Sequence, residues 1–323
     1  LEGSKIFTKE ICQKNNIPTS KFKICKSLNE TIGYLKSIHY PLVVKADGLA
    51  SGKGVYICKD FNDAKTAAEE IFNGKFGFAK QILVEEFLDG EEMSYFVVTD
   101  GMDYKFFGSA QDHKRVGEGD VGKNTGGMGC YSPSRLLSEK LEFKIKKKII
   151  EPTLTAINEL GGIYKGFLYV GLMIKDNNPF LIEFNVRMGD PECQTILPTL
   201  TTDLLDILIS CCDGTLNKIK INFSNTKSVC IVLCSKGYPE KFENNIEIKD
   251  LDQLKLHKNQ NIFHAGTLKK KNEIISNGGR VLNFVSTSED FLKCREEVID
   301  LIKKLNWKNG YFRKDIGFKV IKI

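Results

Sequence analysis

Two spacings of apolar residues alternate along the chain, and each predicts one kind of secondary structure. Short apolar runs bounded by polar or glycine residues predict β-strands at 22–25, 41–45, 167–174, 180–184, 228–234 and 279–286. Apolar residues that recur every three or four positions predict helices after the potential caps Ser4, Asp60 and Ser138. Further helices are predicted at about 28–38, at 152–160 and from about 288. The mixture predicts an α+β or α/β fold.

One segment, residues 109–133, follows neither spacing and is predicted to be a long irregular connection. It is rich in glycine and carries four successive ionisable side chains, Asp112, His113, Lys114 and Arg115. Long connections of this kind inside a compact domain are usually functional or disordered. The charged run can orient acidic substrate groups; a solvated loop is the alternative.

Residues 45–55 concentrate three glycines and two lysines between two predicted strands. Glycines let the backbone turn through positive φ and bring its N–H groups close to a ligand, so the stretch suits a polyphosphate. It is not a Walker A loop, because only three residues separate Gly48 from Gly52 and Gly54 replaces the hydroxyl residue. The prediction is a hairpin tip that closes over phosphates, and the alternative is a surface hairpin with solubilising lysines.

Residues 81–99 are predicted to form two strands around a polar elbow. Exposed backbone at such an elbow can read the edge of an adenine, and a carboxylate such as Glu92 can accept hydrogen bonds from ribose hydroxyls. A plain hairpin with acidic turn residues is the alternative.

The second of two apolar strands near residue 180 ends in polar residues. Strand periodicity places Glu183, Asn185 and Arg187 on one face and Phe184 and Val186 on the other. Magnesium takes one or two protein oxygens and completes its shell with water and nucleotide phosphates, and an arginine can contact the same anion. The sequence therefore predicts a magnesium site at this strand end.

Composition narrows the classes of protein. Of the 323 residues, 41% are hydrophobic and 27% are charged, and no apolar run approaches the ~20 residues of a membrane span. The net charge of +6 is spread along the chain, which favours anionic small molecules or simple solubility over a nucleic-acid groove. Ten cysteines without a Cys-x-x-Cys pair predict a reduced, cytoplasmic protein without structural zinc. Neither a nucleic-acid nor a membrane partner is expected.

Several motifs together resemble the phosphoribosylamine–glycine ligase family of the ATP-grasp superfamily. They are Leu-Glu-Gly-Ser-Lys at 1–5, Lys-Ala-Asp-Gly-Leu-Ala-Ser-Gly-Lys-Gly at 45–54, Glu-Glu-Phe-Leu-Asp-Gly-Glu-Glu at 85–92, Gln-Asp-His-Lys-Arg at 111–115, Asn-Thr-Gly-Gly-Met-Gly at 124–129, and Glu-Phe-Asn-Val-Arg-Met-Gly-Asp-Pro-Glu at 183–192. Shorter matches at 263–267, 277–280 and 313–317 extend the resemblance over essentially the whole chain.

The resemblance implies a carbon–nitrogen ligase of purine biosynthesis. ATP would phosphorylate the carboxylate of glycine, and the amine of 5-phosphoribosylamine would attack the acyl phosphate to give glycinamide ribonucleotide, ADP and phosphate. It would assign ATP to Lys5, Lys45, Gly48, Ser51, Gly52, Lys53, Gly54, Glu85, Glu86, Phe87, Leu88 and Glu92, Mg²⁺ or Mn²⁺ to Glu183 and Asn185, and catalytic roles to Arg187, Asp190, Lys114, Arg115 and Asp112. Such chemistry needs positioning and charge neutralisation more than a strong base.

Within this assignment, Lys5 and Lys45 would hold the α- and β-phosphates, and the glycine-rich tip would fold over the β- and γ-phosphates. The backbone at 86–88 would meet adenine and Glu92 the ribose. The arginines and lysines, with Asp112, would face the transferring phosphoryl group or the substrate carboxylate, and Asp190 would orient the amine.

The resemblance also implies a domain organisation. Residues 1–20 and 87–222 would form the central ATP-grasp subdomain, 21–86 a hinged lid, and 223–323 a small C-terminal α+β domain. The family's N-terminal domain would precede Leu1, and 169–174 offers no second metal carboxylate. Two alternatives therefore stay open: another ATP-grasp carboxylate–amine ligase, and a non-catalytic nucleotide-binding fragment.

Overall fold

The computed structural model describes residues 1–48, 54–271, 273–305 and 307–321, in which eight α-helices and seventeen β-strands form. The helices are α1 (Lys5–Lys14), α2 (Leu28–Leu35), α3 (Phe61–Phe72), α4 (Glu139–Ile145), α5 (Glu151–Glu159), α6 (Glu192–Ile196), α7 (Leu204–Asp213) and α8 (Phe291–Lys304). The strands are β1 (Phe22–Cys25), β2 (Leu42–Ala46), β3 (Val55–Cys58), β4 (Ile82–Glu86), β5 (Glu91–Thr99), β6 (Tyr104–Asp112), β7 (Arg115–Gly117), β8 (Val121–Asn124), β9 (Gly129–Ser132), β10 (Gly166–Lys175), β11 (Asn178–Asn185), β12 (Lys227–Ser235), β13 (Gln260–His264), β14 (Thr267–Lys270), β15 (Glu273–Ser276), β16 (Arg280–Ser288) and β17 (Gly310–Tyr311).

The chain forms two compact units. Unit 1 comprises Leu1–Glu92 and Ser138–Arg187, and unit 2 comprises Met93–Leu137 and Met188–Ile323. In the described part of either unit, no helix combines the length and the apolar character that crossing a bilayer requires. The domain boundaries at 20, 86 and 222 stay predictions.

Unit 1 contains a four-stranded antiparallel sheet in the order β1-β4-β2-β3. Helix α3 begins where the Asp60 side chain accepts a hydrogen bond from the Asp63 N–H, as its sequence predicts. Its predicted stripe of Ala64, Ala67, Ala68 and Ile71 is buried in one cluster with apolar residues of β2 and β4. Small side chains allow this helix to lie close to the sheet.

Unit 1 also contains the antiparallel hairpin β10–β11, which carries the predicted metal ligands. Asp176 and Asn177 make its turn with φ of 49° and 56°, and such left-handed pairs match the twist of a hairpin. Thr19 fixes the hairpin to the residues after α1, because its hydroxyl donates to the Leu181 carbonyl at 2.7 Å. Val186 is 44% exposed, so the predicted alternation of buried and exposed residues ends with Phe184.

The prediction of two helices that meet at Pro152 is wrong. Helix α4 starts at its predicted cap Ser138 and continues through a π-helical turn, Lys146–Ile150, directly into α5. Pro152 is the second residue of α5 and has no N–H to donate to the preceding turn, and that turn is the π-helical one. The wider turn before it keeps the helix continuous.

Unit 2 is built on an antiparallel sheet in the order β5-β6-β9-β12-β16-β13, with β17 on β12. The pairing of Cys130 with Cys230 joins β9 to β12, so this sheet runs across the predicted boundary at residue 222. Helix α8 packs on it through the predicted stripe that contains Cys294, Val298 and Leu301. The chain's one tryptophan, Trp307, is buried in the same core.

The structure corrects two interpretations of the connections. The two strands predicted within residues 81–99 form as β4 and β5, but the alternative of a plain hairpin is wrong, because β4 pairs with β1 and β2 while β5 pairs with β6. Residues 109–133 are not irregular: β6 ends in this segment and β7, β8 and β9 follow. These strands have three or four residues and several glycines, so no period of apolar residues develops.

Candidate functional site

The end of β2 is tied to the first turn of α1. The Asp47 carboxylate accepts hydrogen bonds from the backbone N–H groups of Lys5 and Ile6, at 2.8 and 3.2 Å, and from the Ser4 hydroxyl. The Lys5 ammonium donates to the Gly48 carbonyl at 2.8 Å. A helix N-terminus attracts anions, and here the chain's own carboxylate occupies that position.

The glycine-rich stretch itself is described only at its two ends. Gly48 has a φ of 87°, and the Gly54 carbonyl accepts a hydrogen bond from the Ala46 N–H at 2.8 Å. The predicted ligands Ser51, Gly52 and Lys53 lie outside the described residues. The strand–loop–strand arrangement is nevertheless confirmed, because β2 and β3 pair up to Lys45 and Val55.

A buried carboxylate lies between two lysines beside this stretch. The Glu85 side chain on β4 contacts the Lys45 ammonium at 2.8 Å through Oε1 and the Lys9 ammonium at 2.9 Å through Oε2. The Ser20 hydroxyl donates to Oε2 at 2.5 Å. All three charged residues are less than 10% exposed, so this triad places a net charge of +1 inside unit 1.

The pKa of Glu85 shows how the triad is balanced. Burial alone raises this pKa, but the charges of Lys45 and Lys9 outweigh burial and hold it at about 2. Burial also lowers the pKa of Lys5, and the field of Glu183 opposes that change. Lys5 therefore lies within electrostatic reach of both the triad and the predicted metal strand.

Glu183 and Asn185 are on β11, where they pair with Gly171 and Tyr169 of β10. A residue without a predicted role organises this end of the strand: Glu2 accepts hydrogen bonds from the Val186 N–H at 2.9 Å and pairs with the Arg187 guanidinium at 3.1 Å. When the Asn185 amide is oriented to satisfy its neighbours, its nitrogen donates to Glu2. The Asn185 oxygen then points away from Glu2.

This donor set fits a hard divalent cation. A carboxylate from Glu183 and an amide oxygen from Asn185 are oxygen ligands of the kind that Mg²⁺ takes. In the ranges that the structure describes, no group of three or more His, Cys, Asp or Glu side chains converges, so a site here depends on two protein ligands. Two protein ligands leave room for water and phosphate oxygens, which Mg²⁺ usually retains.

The predicted adenine elbow follows β4 directly. Glu86 is exposed and Phe87 and Leu88 are half-buried, and the Glu86 N–H donates to the Lys21 carbonyl. Gly90 approaches β10 so closely that a Cβ there would lie 2.5 Å from the Ile174 carbonyl oxygen. Glycine is therefore required at this position. Glu92 is exposed on the first residues of β5.

Unit 2 gathers a second set of predicted residues. Gly127, at a φ of 119°, is so confined that a Cβ would lie 2.8 Å from the Asp112 carboxylate and 2.6 Å from the Pro191 ring. Asp190 pairs with the Arg280 guanidinium at 3.1 Å. The Gln-Asp-His-Lys-Arg, Asn-Thr-Gly-Gly and Gly-Asp-Pro-Glu motifs therefore meet within this unit.

The four residues of the charged run have different surroundings. His113 is buried; its Nε2 accepts from the Gly317 N–H at 3.2 Å, so Nδ1 carries the hydrogen and donates to the Gly129 carbonyl. Burial, and then the charge of Arg313, lowers its pKa to about 4. The interpretation that His113 orients an acidic substrate is therefore wrong, because a neutral and doubly bonded imidazole has a structural role.

The neighbours of His113 remain half-buried. Arg115 donates from its guanidinium to the Gly122 carbonyl at 2.8 Å within the β7–β8 hairpin. The Lys114 carbonyl accepts a hydrogen bond from the Thr125 N–H at 2.7 Å. The positive charge of the Lys114 side chain acts on the buried Glu192 carboxylate. Burial raises the pKa of Glu192, whose Oε1 accepts from the Ser94 hydroxyl at 2.9 Å.

Sequence reasoning did not single out several residues that organise these sites. They are Glu2, Lys9, Asp47, Glu192 and Arg280, and all except Lys9 lie within quoted motifs. Each makes its decisive contact with a residue that is distant in sequence; Glu2 and Val186, for example, are 184 positions apart. For the four that lie within motifs, the signal in the sequence is a charged residue to which no role has been assigned.

A lysine-bearing strand before a glycine-rich loop, a buried lysine–glutamate pair and a Glu-x-Asn strand define an ATP-grasp protein. In agreement, residues 3–193 match the phosphoribosylglycinamide synthetase ATP-grasp (A) domain, and residues 228–319 match the C domain of the same synthetase. The chain belongs to the phosphoribosylglycinamide synthetase family, so the resemblance and the predicted fold class are both confirmed.

Individual relatives agree with this assignment. Phosphoribosylamine–glycine ligase from Brucella melitensis is 40% identical over 322 residues, which are 99% of this chain and 75% of the relative. The crystal structure of the Thermotoga maritima ligase superposes with a TM-score of 0.89 at 32% identity, covering 98% of this chain and 78% of that one.

A more distant structure shares the fold alone. The biotin carboxylase domain of Hydrogenobacter thermophilus 2-oxoglutarate carboxylase, solved with MgADP and bicarbonate, has a TM-score of 0.69 at 17% identity and covers 96% of this chain and 67% of that one.

Proposed function

We propose that this chain ligates glycine to 5-phosphoribosylamine at the expense of ATP, giving glycinamide ribonucleotide, ADP and phosphate in purine biosynthesis. The observation that carries the proposal is the gathering, within unit 1, of Lys5, the Lys45–Glu85–Lys9 triad and Glu183. Fixed positive charge beside a carboxylate that can hold a metal is what phosphoryl transfer from ATP requires.

In unit 1 the two lysines bind the phosphates and β11 binds the metal ion. Lys5 and Lys45 hold phosphate oxygens, and Glu85 keeps the Lys45 ammonium in a fixed position. Glu183 and Asn185 hold Mg²⁺ or Mn²⁺, which neutralises phosphate charge when bound. The backbone at 86–88 meets adenine, Glu92 binds ribose, and the glycine-rich loop 48–54 folds over the β- and γ-phosphates.

Further charged groups act on the substrates other than ATP. Lys114, Arg115 and Asp112 of unit 2, and Arg187 of unit 1, neutralise the transferring phosphoryl group or the substrate carboxylate. Asp190 accepts hydrogen bonds from the attacking amine. The proposed domains are a central subdomain of 1–20 and 87–222, a lid of 21–86 and a C-terminal domain of 223–323, and the proposed compartment is the cytoplasm.

The direct test is product formation. The purified protein is mixed with ATP, MgCl₂, glycine and freshly prepared 5-phosphoribosylamine, and glycinamide ribonucleotide is measured by mass spectrometry. We expect ADP release that depends on both co-substrates. Turnover with another acid in a panel, but not with glycine, would instead identify a different carboxylate–amine ligase. ATP binding by calorimetry without turnover would favour a nucleotide-binding protein that does no catalysis.

A substitution of Glu183 tests the metal assignment. Glu183→Ala removes the one carboxylate of the proposed pair, and we expect kcat to fall by a factor on the order of 10³ at saturating MgCl₂, because phosphate charge is no longer neutralised. Circular dichroism should be unchanged. The control is Glu10→Ala, an exposed glutamate on α1 of the same unit. Wild-type turnover by Glu183→Ala would refute the assignment.

A further inference from the structure

Arg280 joins two motif loops of unit 2 through one guanidinium. Its NH1 donates to the Gly126 and Asp190 carbonyls, both at 2.8 Å, and its NH2 donates to Asp190 Oδ2 at 3.1 Å. The side chain is 22% exposed. The three acceptors lie 90 and 154 positions away in sequence, so this contact fixes segments that no local interaction holds together.

The two loops that Arg280 joins, 126–127 and 190–191, are also confined by other contacts. The Gly126 N–H donates to the Tyr238 hydroxyl at 2.9 Å, and a Cβ on Gly126 would lie 2.9 Å from the Arg280 guanidinium carbon. The next residue, Gly127, packs between the Asp112 carboxylate and the Pro191 ring. A shift of the guanidinium would therefore move Gly126, Gly127 and the Asp190 turn together.

The Asp190 carboxylate is oriented through both of its oxygens. Oδ2 accepts from Arg280, and Oδ1 accepts from the Gln194 amide at 3.0 Å. A guanidinium is planar and presents several donors in a fixed geometry, whereas an ammonium has a single centre. Arginine can thus hold a backbone carbonyl and a carboxylate at once, and lysine can satisfy only part of this set.

We propose that Arg280 is a positioning residue for the amine substrate, acting through Asp190 and the 126–127 loop. This inference rests on the proposed function, in which Asp190 orients the amine. A displacement of about 1 Å in such a group costs roughly 100-fold in rate. The effect falls on the amine because the proposed ATP ligands Lys5 and Lys45 belong to unit 1.

The test separates this role from a general loss of structure. For Arg280→Gln we expect kcat/KM for 5-phosphoribosylamine to fall about 100-fold, while KM for ATP changes by less than about threefold. Arg280→Lys should recover about tenfold of the loss, because its ammonium reaches one of the acceptors. The controls are Arg295→Gln and Arg295→Lys on α8, which should leave all kinetic constants unchanged.

A double-mutant cycle shows whether Arg280 works through Asp190. If it does, Arg280→Gln combined with Asp190→Asn should be no slower than the slower single variant, because the second change removes a group that is already misplaced. The proposal would be overturned if the rate loss of the double variant equalled the product of the two single losses. It would also be overturned if Arg280→Gln lowered kcat/KM equally for ATP and for 5-phosphoribosylamine. If the wild-type protein turns over and Arg280→Gln is as active as wild type, only this inference is overturned. If the wild-type protein does not turn over, the proposed function is overturned as well.

Discussion

Each unit of the molecule has a small network of charges around a buried ionised side chain, and the two networks have opposite compositions. In unit 1 one carboxylate, Glu85, lies between the ammoniums of Lys45 and Lys9. In unit 2 one guanidinium, Arg313, lies between the carboxylates of Asp120 and Asp315, at 2.8 and 2.7 Å. Arg313 is completely buried.

The networks also differ in how their charge is balanced. Lys319 contacts the second oxygen of Asp120 at 2.7 Å, so the unit 2 network sums to zero. The unit 1 triad keeps a surplus of +1. Buried charges are costly unless they are paired, so a surplus persists where a ligand of opposite charge can complete it. The balanced network of unit 2 therefore serves the fold, whereas the surplus charge in unit 1 agrees with its proposed role in binding phosphate.

Arg313 shows what the balanced network stabilises. Its NH1 also donates to the Arg115 carbonyl at 3.0 Å, and Asp315 accepts from the Gly119 N–H at 2.8 Å. The Tyr311 hydroxyl donates to the Val116 carbonyl at 2.8 Å. The β7–β8 hairpin is thus held to the C-terminal residues of unit 2, and this fixes the backbone that carries Arg115.

Removing Arg313 should give the largest change in stability. Arg313→Met leaves two carboxylates without their shared partner, and we expect the free energy of unfolding to fall by about 4 kcal/mol, as is typical for a broken buried pair. Urea titration followed by circular dichroism measures it. The control Lys319→Met, at a position whose side chain is 34% exposed, should cost less than about 1 kcal/mol. If Arg313→Met and Lys319→Met lowered the free energy of unfolding equally, the buried Arg313 would not be the main source of stabilisation in this network.

Removing Glu85 should cost somewhat less stability but should also affect ligand binding. Glu85→Gln leaves two buried ammoniums facing each other, with an expected loss of about 3 kcal/mol and weaker ATP binding because Lys45 is displaced. Adding Lys9→Met should restore part of the stability, since it removes the repelling charge. Urea titration and calorimetry with ATP give the two readouts. Full ATP affinity in Glu85→Gln would show that Lys45 needs no partner.

Acid should weaken the two regions over different pH ranges. Neutral His113, with a folded-state pKa of about 4 against 6.5 unfolded, contributes about 3 kcal/mol above pH 6.5, and this is lost as the pH falls to about 4. Glu85 has a pKa of about 2 against 4.5, so its contribution is lost only below about pH 4.5. His113→Gln, whose side chain does not titrate, should flatten the loss of stability between pH 6.5 and 4.5. An unchanged slope there would exclude His113 as its source.

Much of the fold could be predicted because its signals are local. The caps Ser4, Asp60 and Ser138 each accept a hydrogen bond from a backbone N–H three residues later, within a single turn. The alanine stripe of α3 is equally local. Strands β7 and β8 form a local hairpin but were missed because they are short and contain glycine, and β9 was missed because it pairs with the distant β12.

The residues of the candidate site likewise differ in whether the adjacent sequence identifies them. Lys45, Glu183 and Asn185 could be singled out as candidates because they belong to continuous motifs on strands. Glu2, which supports the Asn185 end of β11 in unit 1, could not be assigned, and neither could Glu192 and Arg280 of unit 2, because nothing in the adjacent sequence identifies what they contact. The His113 interpretation was wrong for a related reason: its neighbours in sequence are polar, while its neighbours in space, Gly129 and Gly317, surround it with backbone.

The position of Trp307 has a practical consequence. It is the chain's one tryptophan and is buried among Val232, Phe284 and Val298 in the core of unit 2. Its fluorescence emission therefore reports the unfolding of unit 2, while far-ultraviolet dichroism sums over both units. Recording both signals in one titration measures how strongly the two units unfold together, without attaching any label to the protein.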